Sequence, residues 1–405
     1  MSFTNETIDI VNFLIKNYNN LFKIKRKRET NNILLEIFKM INMSEKEIIK
    51  IKNENKIEKN IEKNTTFDNE LMDLLNGRFT PPQIKEYINN NNTDVANFKT
   101  VVNKRNITLN FYTTEKEDYS LDELENKAVL FFTIFNFLSM SSNSRCGETI
   151  KINLFLTDFK KNLPSNKNNI LGCDNVNSAA TYHCAKNGTI LIFRKEEMIK
   201  VFIHESMHAL GLDWFNNSVL NDDIQSIFHI KSKFLINESY VEFWANILNC
   251  CLISYKINKL DKKKYLSHVN YCINFEILFS IFQIVKILKY MGLSYKQLYK
   301  SDPVNKKMCN DKYKETSNVF SYYILKSVFL FNYNGFLNLC KEHNHKLFNF
   351  ISIENKRDIL INFIKNNYSN KKFLKTIDAI KCKKTDTLNY FMNNTLRLTA
   401  MEYDI

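Results

Sequence analysis

Hydrophobic positions along the 405-residue chain follow three different rhythms. Over the first hundred residues they recur at helical spacing. Ile8, Ile10, Val11, Phe13, Leu14 and Leu21 make one amphipathic face, and Ile33, Leu34, Leu35, Ile37 and Phe38 make another. Ser44 to Thr66 is dominated by Lys, Glu, Asn and Ile, the pattern of an exposed helix or a tether. Leu71 to Leu75, then Pro81-Pro82 and Ile84 to Ile88, predict one more short helical unit.

Near Asn106 the rhythm changes. Ile107 to Thr113 alternates as a half-buried strand, Leu121 to Met140 is a strongly apolar helix, and Ile150 to Leu156 is a second strand. Thr181 to Phe193 predicts a hairpin turning at Asn187-Gly188. Arg194-Lys-Glu-Glu197 then opens a helix with acidic residues where its dipole favours them, and Gly211 supplies the stop. After Asn217 the chain reads as helical, with segments at Glu238–Ile253, Phe275–Met291, Ser321–Phe331, Leu337–Cys340, Lys356–Lys365 and over the last forty residues. The order predicts an α+β protein in three parts. Residues 1–100 are a charged helical appendage, 101–216 a small mixed sheet with its helix, and 217–405 an all-helical part.

Composition adjusts this picture in three places. Lys and Arg exceed Asp and Glu by 57 − 43 = 14, but the lysines are scattered and the Asn, Lys and Ile bias matches AT-rich coding. Nucleic acid is thus left open as a partner without being favoured. Lys23-Ile-Lys-Arg-Lys-Arg28 resembles a short localisation or nucleic-acid patch, and reads first as a solvated helix face. The nine cysteines form no CxxC pair and predict buried free thiols in a reducing compartment. The first residues lack the layout of a signal peptide, and no window of about 20 residues reads as apolar enough to span a bilayer. The expectation is an intracellular protein without a transmembrane segment, not a secreted one.

The chemistry is concentrated in Val201-Phe-Ile-His204-Glu205-Ser-Met-His208-Ala-Leu-Gly211. This is the His-Glu-x-x-His pattern, in which two imidazoles at i and i+4 share one helix face and can hold one Zn²⁺. Glu205 is placed to act as general base toward a zinc-bound water. A catalytic zinc takes three protein ligands. Trp214 stands where a His-x-x-Gly-x-x-His continuation needs its third histidine, and Asp213 is so near the helix end that ligation needs a tight backtrack. The remaining continuation is Asn237-Glu238-Ser-Tyr-Val-Glu242, whose two glutamates again share one helix face. One can ligate zinc while the other orients a zinc histidine, and spacing leaves the two roles exchangeable.

With those residues in place the chain resembles the gluzincin zinc metallopeptidases, in which HExxH is followed on a later helix by an acidic pair. The resemblance implies a zincin-like fold, with a sheet half before the metal helix and a helical half behind it. It implies Glu238 as the third zinc ligand and Glu242 as the residue supporting a ligand histidine. Glutamate replaces the family's aspartate at the second position. Segments at 157–164, 176–178 and 193–197, with those at His204 and Glu238, are also similar to uncharacterised metallopeptidases of large nucleocytoplasmic DNA viruses of the mimivirus kind. That implies a viral protein working in the host cytoplasm or the virion.

The expected activity is zinc-dependent hydrolysis of peptide bonds in a peptide or protein substrate. The resemblance further implies that about Val176 to Tyr182 is a sheet edge pairing with extended substrate. Tyr322, Tyr323 and His268 are weighed as oxyanion donors, and His183 as an extension of the site. The alternative is a catalytically inactive zincin-fold scaffold, or a structural protein associated with virions or nucleic acid.

Overall fold

The computed structural model describes residues 2–21, 24–63, 66–91, 93–114, 120–143, 145–214, 218–350, 357–381 and 387–404. Helices α1 (Asn5–Tyr18) and α2 (Arg28–Asn53) open the chain, followed by strand β1 (Glu58–Lys63) and short helices α3 (Asn69–Asn76) and α4 (Pro82–Asn90). Strands β2 (Thr93–Val102) and β3 (Arg105–Thr114) form a hairpin. After them come α5 (Leu121–Ser139), β4 (Thr149–Thr157), the single turn α6 (Cys173–Val176), β5 (Ala179–Thr181) and β6 (Asn187–Arg194). The rest is helical, with α7 (Met198–Ala209), α8 (Ser218–Ile227), α9 (Ile236–Asn258) and α10 (Lys262–Tyr290) leading into shorter helices from Tyr295 to Asn394.

The six strands form one mixed sheet in the order β1-β2-β3-β4-β6-β5, with β3, β4 and β6 parallel and the other pairings antiparallel. The protein is therefore α+β, as the order of patterns predicts. Alternation in β3 sends Ile107, Leu109 and Phe111 to one face of the sheet, where α5 and α7 pack, while Tyr112 points to the other. That second face is covered by Leu71, Leu74, Leu75, Ile84 and Ile88 from α3 and α4. On the first face, the Phe131 and Phe202 rings meet at 4.6 Å and fix α7 against α5. Fully burying each such ring contributes about 1.5–3 kcal/mol.

The first hundred residues do not stand apart. Ile10, Leu14, Ile33, Leu34 and Ile37 lie in the same core as α9 and α10, and the expected boundary at residue 100 falls inside β2. Of the exposed helix or tether expected after Ser44, the first part is a helix, the second half of α2, and edge strand β1 follows it. All six residues of β1 are exposed, so no alternation marks it in the sequence. The hairpin expected before the metal helix is present as β5–β6, but its turn lies at His183-Cys184 and Asn187-Gly188 begins β6. The boundary expected at 216/217 and part of Lys23–Arg28 lie outside the described residues.

Two further features differ from expectation. Helix α10 contains an 18-residue window of mean hydropathy 1.6, long and apolar enough to cross a membrane. Of that window 83% is buried inside the protein, as in the core helix of a globular fold. Cys146 and Cys184 form a disulfide, so the expectation of free thiols fails at this pair, while Cys173, Cys250, Cys251, Cys272, Cys309 and Cys340 are free. The pair is 38 residues apart, and only the fold joins it: Gly147 N–H donates to the Ala185 carbonyl at 2.8 Å.

Residues 395–402 run extended between the helices. Buried side chains satisfy their backbone, as burial of polar groups requires. Glu197 accepts from the Leu398 and Thr399 amides, Glu276 from Ala400 and Met401, and Asn249 donates to the Met401 carbonyl. In return Glu402 accepts the Glu197 amide at 2.5 Å, so this segment caps the start of α7.

Candidate metal centre

Helix α7 leaves the sheet directly from β6, and α9 packs across it, buried along nearly its whole length. Their contact brings three side chains to one point. His204 Nε2 and His208 Nε2 are 3.1 Å apart, and Glu238 Oε2 lies 3.1 Å from the first and 3.3 Å from the second. Glu238 sits in the first turn of α9, where the helix dipole favours an anion.

Each imidazole is held from behind. The Nδ1–H of His204 faces Glu242 Oε1 at 3.1 Å, and Glu242 also takes an ion pair from Lys200, one turn earlier on α7. The Nδ1–H of His208 donates to Asp213 Oδ2 at 2.9 Å. Asp213 is fixed in turn by Asn237 Nδ2 at 2.8 Å and by His183 Nε2, 3.1 Å from its other oxygen. With both Nδ1 atoms carrying protons toward carboxylates, neutral imidazoles present two Nε2 lone pairs to a carboxylate oxygen. Three acceptors facing one another require a cation or protons between them. Two ligands of a tetrahedral zinc, each about 2.0–2.1 Å from the ion, lie about 3.3 Å apart, so the three spacings fit one such ion.

Comparison with protein-family profiles, curated proteins and solved structures finds no match for this chain. The arrangement therefore has to be read from its own geometry.

The electrostatics agree with a site that holds positive charge. Burial pushes the His204 and His208 pKa values down, but the facing carboxylates outweigh it and raise both, His208 strongly. Burial likewise pushes Glu238 up, and the two imidazoles overcome it and hold the carboxyl at about 2. Glu242 and Asp213 are held below the usual carboxylate range, against burial, by Lys200 and His204 in one case and by His208 and His183 in the other. Glu205 is the exception. Burial dominates there and raises its pKa, and it has no hydrogen-bond partner among the described residues.

Glu205, both histidines and Glu238 line a cleft of about 310 Å³, bounded on one side by β5 and on another by Tyr322. The edge strand expected near Val176–Tyr182 is β5, at the end of the sheet and beside the site. Ser178 O accepts from Phe193 N. By the alternation of antiparallel pairing, the amides of Ala179 and Thr181 then turn away from β6 toward the open edge.

The other weighed residues separate. Tyr322 lines the cleft, its ring centroid 6.1 Å from that of His204. Tyr323 is directed to the Leu396 carbonyl and His268 to Ser254 and Cys272, away from the cleft. His183 belongs to the site through Asp213. Asp213, set aside as a ligand, orients His208. Lys200 went unremarked in the sequence, although a lysine one turn before His204 in an apolar run is a visible signal.

Proposed function

We propose that this protein is a zinc-dependent metallopeptidase of gluzincin type built on a zincin-like arrangement. The observation that carries this reading is the convergence of His204 Nε2, His208 Nε2 and Glu238 Oε2 beside Glu205. His204, His208 and Glu238 would hold the ion, and Glu242 and Asp213 would fix the two imidazoles. Zn²⁺ in this position supplies Lewis acidity toward a peptide carbonyl and acidifies water.

The remaining roles belong to the chain. Ala179 and Thr181 offer backbone groups to an extended peptide, as in addition of a strand to a sheet edge. Glu205 takes the proton of the attacking water on its carboxylate and returns it to the departing amine. Its raised pKa suits a group that must both accept and release a proton near neutrality. Tyr322 lines the cleft beside His204 and takes up space that water would otherwise fill.

Elemental mass spectrometry of untagged protein tests the reading. About one zinc per chain is expected in wild type and in Glu205→Gln, with loss in His208→Ala and Glu238→Ala. Peptide-library cleavage is expected in wild type and absent in Glu205→Gln. Zinc without cleavage of any peptide would favour the inactive scaffold, and no zinc in folded wild type would remove the site.

A further inference from the structure

The cleft contains one charged group that neither faces the metal position nor has a proton to move. Arg78 lies in the turn between α3 and α4, and its guanidinium carbon sits 4.7 Å from the centroid of the Phe79 ring. Stacking on an aromatic face steadies the cation without using up its hydrogen-bond donors. Among the described residues no carboxylate is within ion-pair reach of it.

The turn is fixed to the edge of the sheet. The Phe79 carbonyl accepts from Asn177 Nδ2 at 3.0 Å. Asn177 is buried, its Oδ1 accepts from Ser317 Oγ at 2.8 Å, and its carbonyl accepts from Arg194 Nε at 2.8 Å. Arg78 therefore stands where the chain enters β5, with His183 at the strand's far end. Glu70 and Asp73 lie toward Tyr182 and do not line the cleft.

The choice of residue is itself informative. Only 8 of the 57 basic residues are arginine, so the lysine bias of the chain does not account for this one. Five other arginines are committed within the protein: Arg26, Arg105 and Arg194 donate to backbone carbonyls, Arg357 pairs with Asp223 and Arg397 with Glu402. Arg28 and Arg145 are uncommitted among the described residues but do not line the cleft. Arg78 is an exposed residue at the border of the cleft, and its planar fork is the shape that matches a carboxylate with two parallel hydrogen bonds.

We propose that Arg78 selects an acidic side chain in a peptide lying extended along β5, so that the substrates are peptides with Asp or Glu at the position facing Asn177. This rests on the peptidase reading of the neighbouring site. A strand advances about 3.3 Å per residue, so a peptide alongside residues 177–183 presents about six residues and only one of them meets Arg78.

The test is binding, which does not depend on turnover. Labelled octapeptides carrying Glu, Gln or Lys at each position in turn are titrated by fluorescence anisotropy onto zinc-loaded Glu205→Gln protein. The same series is run with Arg78→Gln and with Arg78→Glu in that background, zinc content being checked for each. One position is expected to prefer Glu over Gln by about fivefold, the scale of a partly exposed ion pair. Arg78→Gln should erase that preference and Arg78→Glu reverse it toward Lys. An unchanged preference in Arg78→Glu, or no charge preference at any position, overturns the proposal. If the preference tracks Arg78 but wild type cleaves none of the bound peptides, the peptidase reading fails while the acidic-peptide site stands.

Discussion

Replacing Glu242 by Gln separates two duties that the structure assigns to one carboxylate. Glu242 orients His204 through Nδ1 and also neutralises Lys200, which is 2% exposed. Gln preserves the shape and removes the charge. Breaking a buried pair by neutralising one partner typically costs about 3–5 kcal/mol, because the other charge is left without compensation. Glu197 also lies in the field around Lys200, so the lower end of that range, ~3 kcal/mol, is expected here. Loss of a carboxylate behind a ligand histidine typically weakens metal binding 10–100-fold. The double variant Glu242→Gln/Lys200→Met removes both charges, and should recover most of the stability without recovering the affinity. Urea unfolding of chelator-treated protein measures the first quantity, and competition with a chromophoric zinc chelator measures the second. A single variant that loses less than about 1 kcal/mol would refute the charge argument. A double variant with wild-type zinc affinity would refute a role for the carboxylate's charge behind His204.

Three further outcomes are expected. Burial raises the Glu315 pKa to about 8 although its carboxylate accepts the Phe320 amide at 2.9 Å. A group whose folded value lies above its ordinary 4.5 contributes stability that is fully present below that value and lost as pH rises through about 8. Glu315→Gln should therefore change the urea midpoint little at pH ~4 and raise stability by about 2–4 kcal/mol at pH ~9; equal effects at both pH values would contradict the assignment. Gly211 has φ +60, and a Cβ there would lie 2.9 Å from Cys146 Sγ and 3.1 Å from Cys184 Cβ. Gly211→Ala should cost at least about 1–2 kcal/mol from the left-handed backbone alone, and an unchanged melting temperature would contradict that assignment. Free zinc at a thousand times its dissociation constant should stabilise the wild type by about 4 kcal/mol, and that gain should be absent in His208→Ala and reversed by a chelator in the wild type.

Much of the fold and the first part of the site were legible because they are periodic and local. The apolar rhythm of Leu121–Ser139 and the alternation of Arg105–Thr114 mark their elements directly, and His204 and His208 share a face because a helix repeats every 3.6 residues. The sequence also narrowed the third donor to two glutamates one turn apart, and only packing of α9 on α7 distinguishes them. Glu238 lies at the end facing the cleft, whereas Glu242 is one turn deeper against Lys200. What stayed hidden depends on contacts remote in the chain. Strand β1 is exposed throughout, with Ile61 its one apolar residue, and β2 gives it a partner. Asp213 is too close to His208 to complete the ligand set, yet it is well placed to reach around to Nδ1, which spacing alone does not show. The disulfide and the 395–402 segment join residues whose local sequences carry no mark of each other.

Charge balance ties the site's geometry to the ion it would accept. Buried Glu205, Glu242 and Asp213 and partly buried Glu238 bring four carboxylates to the imidazoles of His204 and His208, and Lys200 is the lysine paired with them. With neutral imidazoles that set carries three excess negative charges, which a low-dielectric interior tolerates only with compensation. Without a metal the compensation is protons, and this is why both histidines titrate above their ordinary value of 6.5. A divalent cation removes two of the excess charges and leaves one. The residual charge falls on Glu205, whose raised pKa lets it take up a proton. A site meant only to staple helices needs His204, His208, Glu238 and their supporting carboxylates, but gains nothing from a fourth carboxylate lining the cleft without a hydrogen bond among the described residues. Glu205 costs stability where it stands, and that cost supports the proton-carrying role proposed for it.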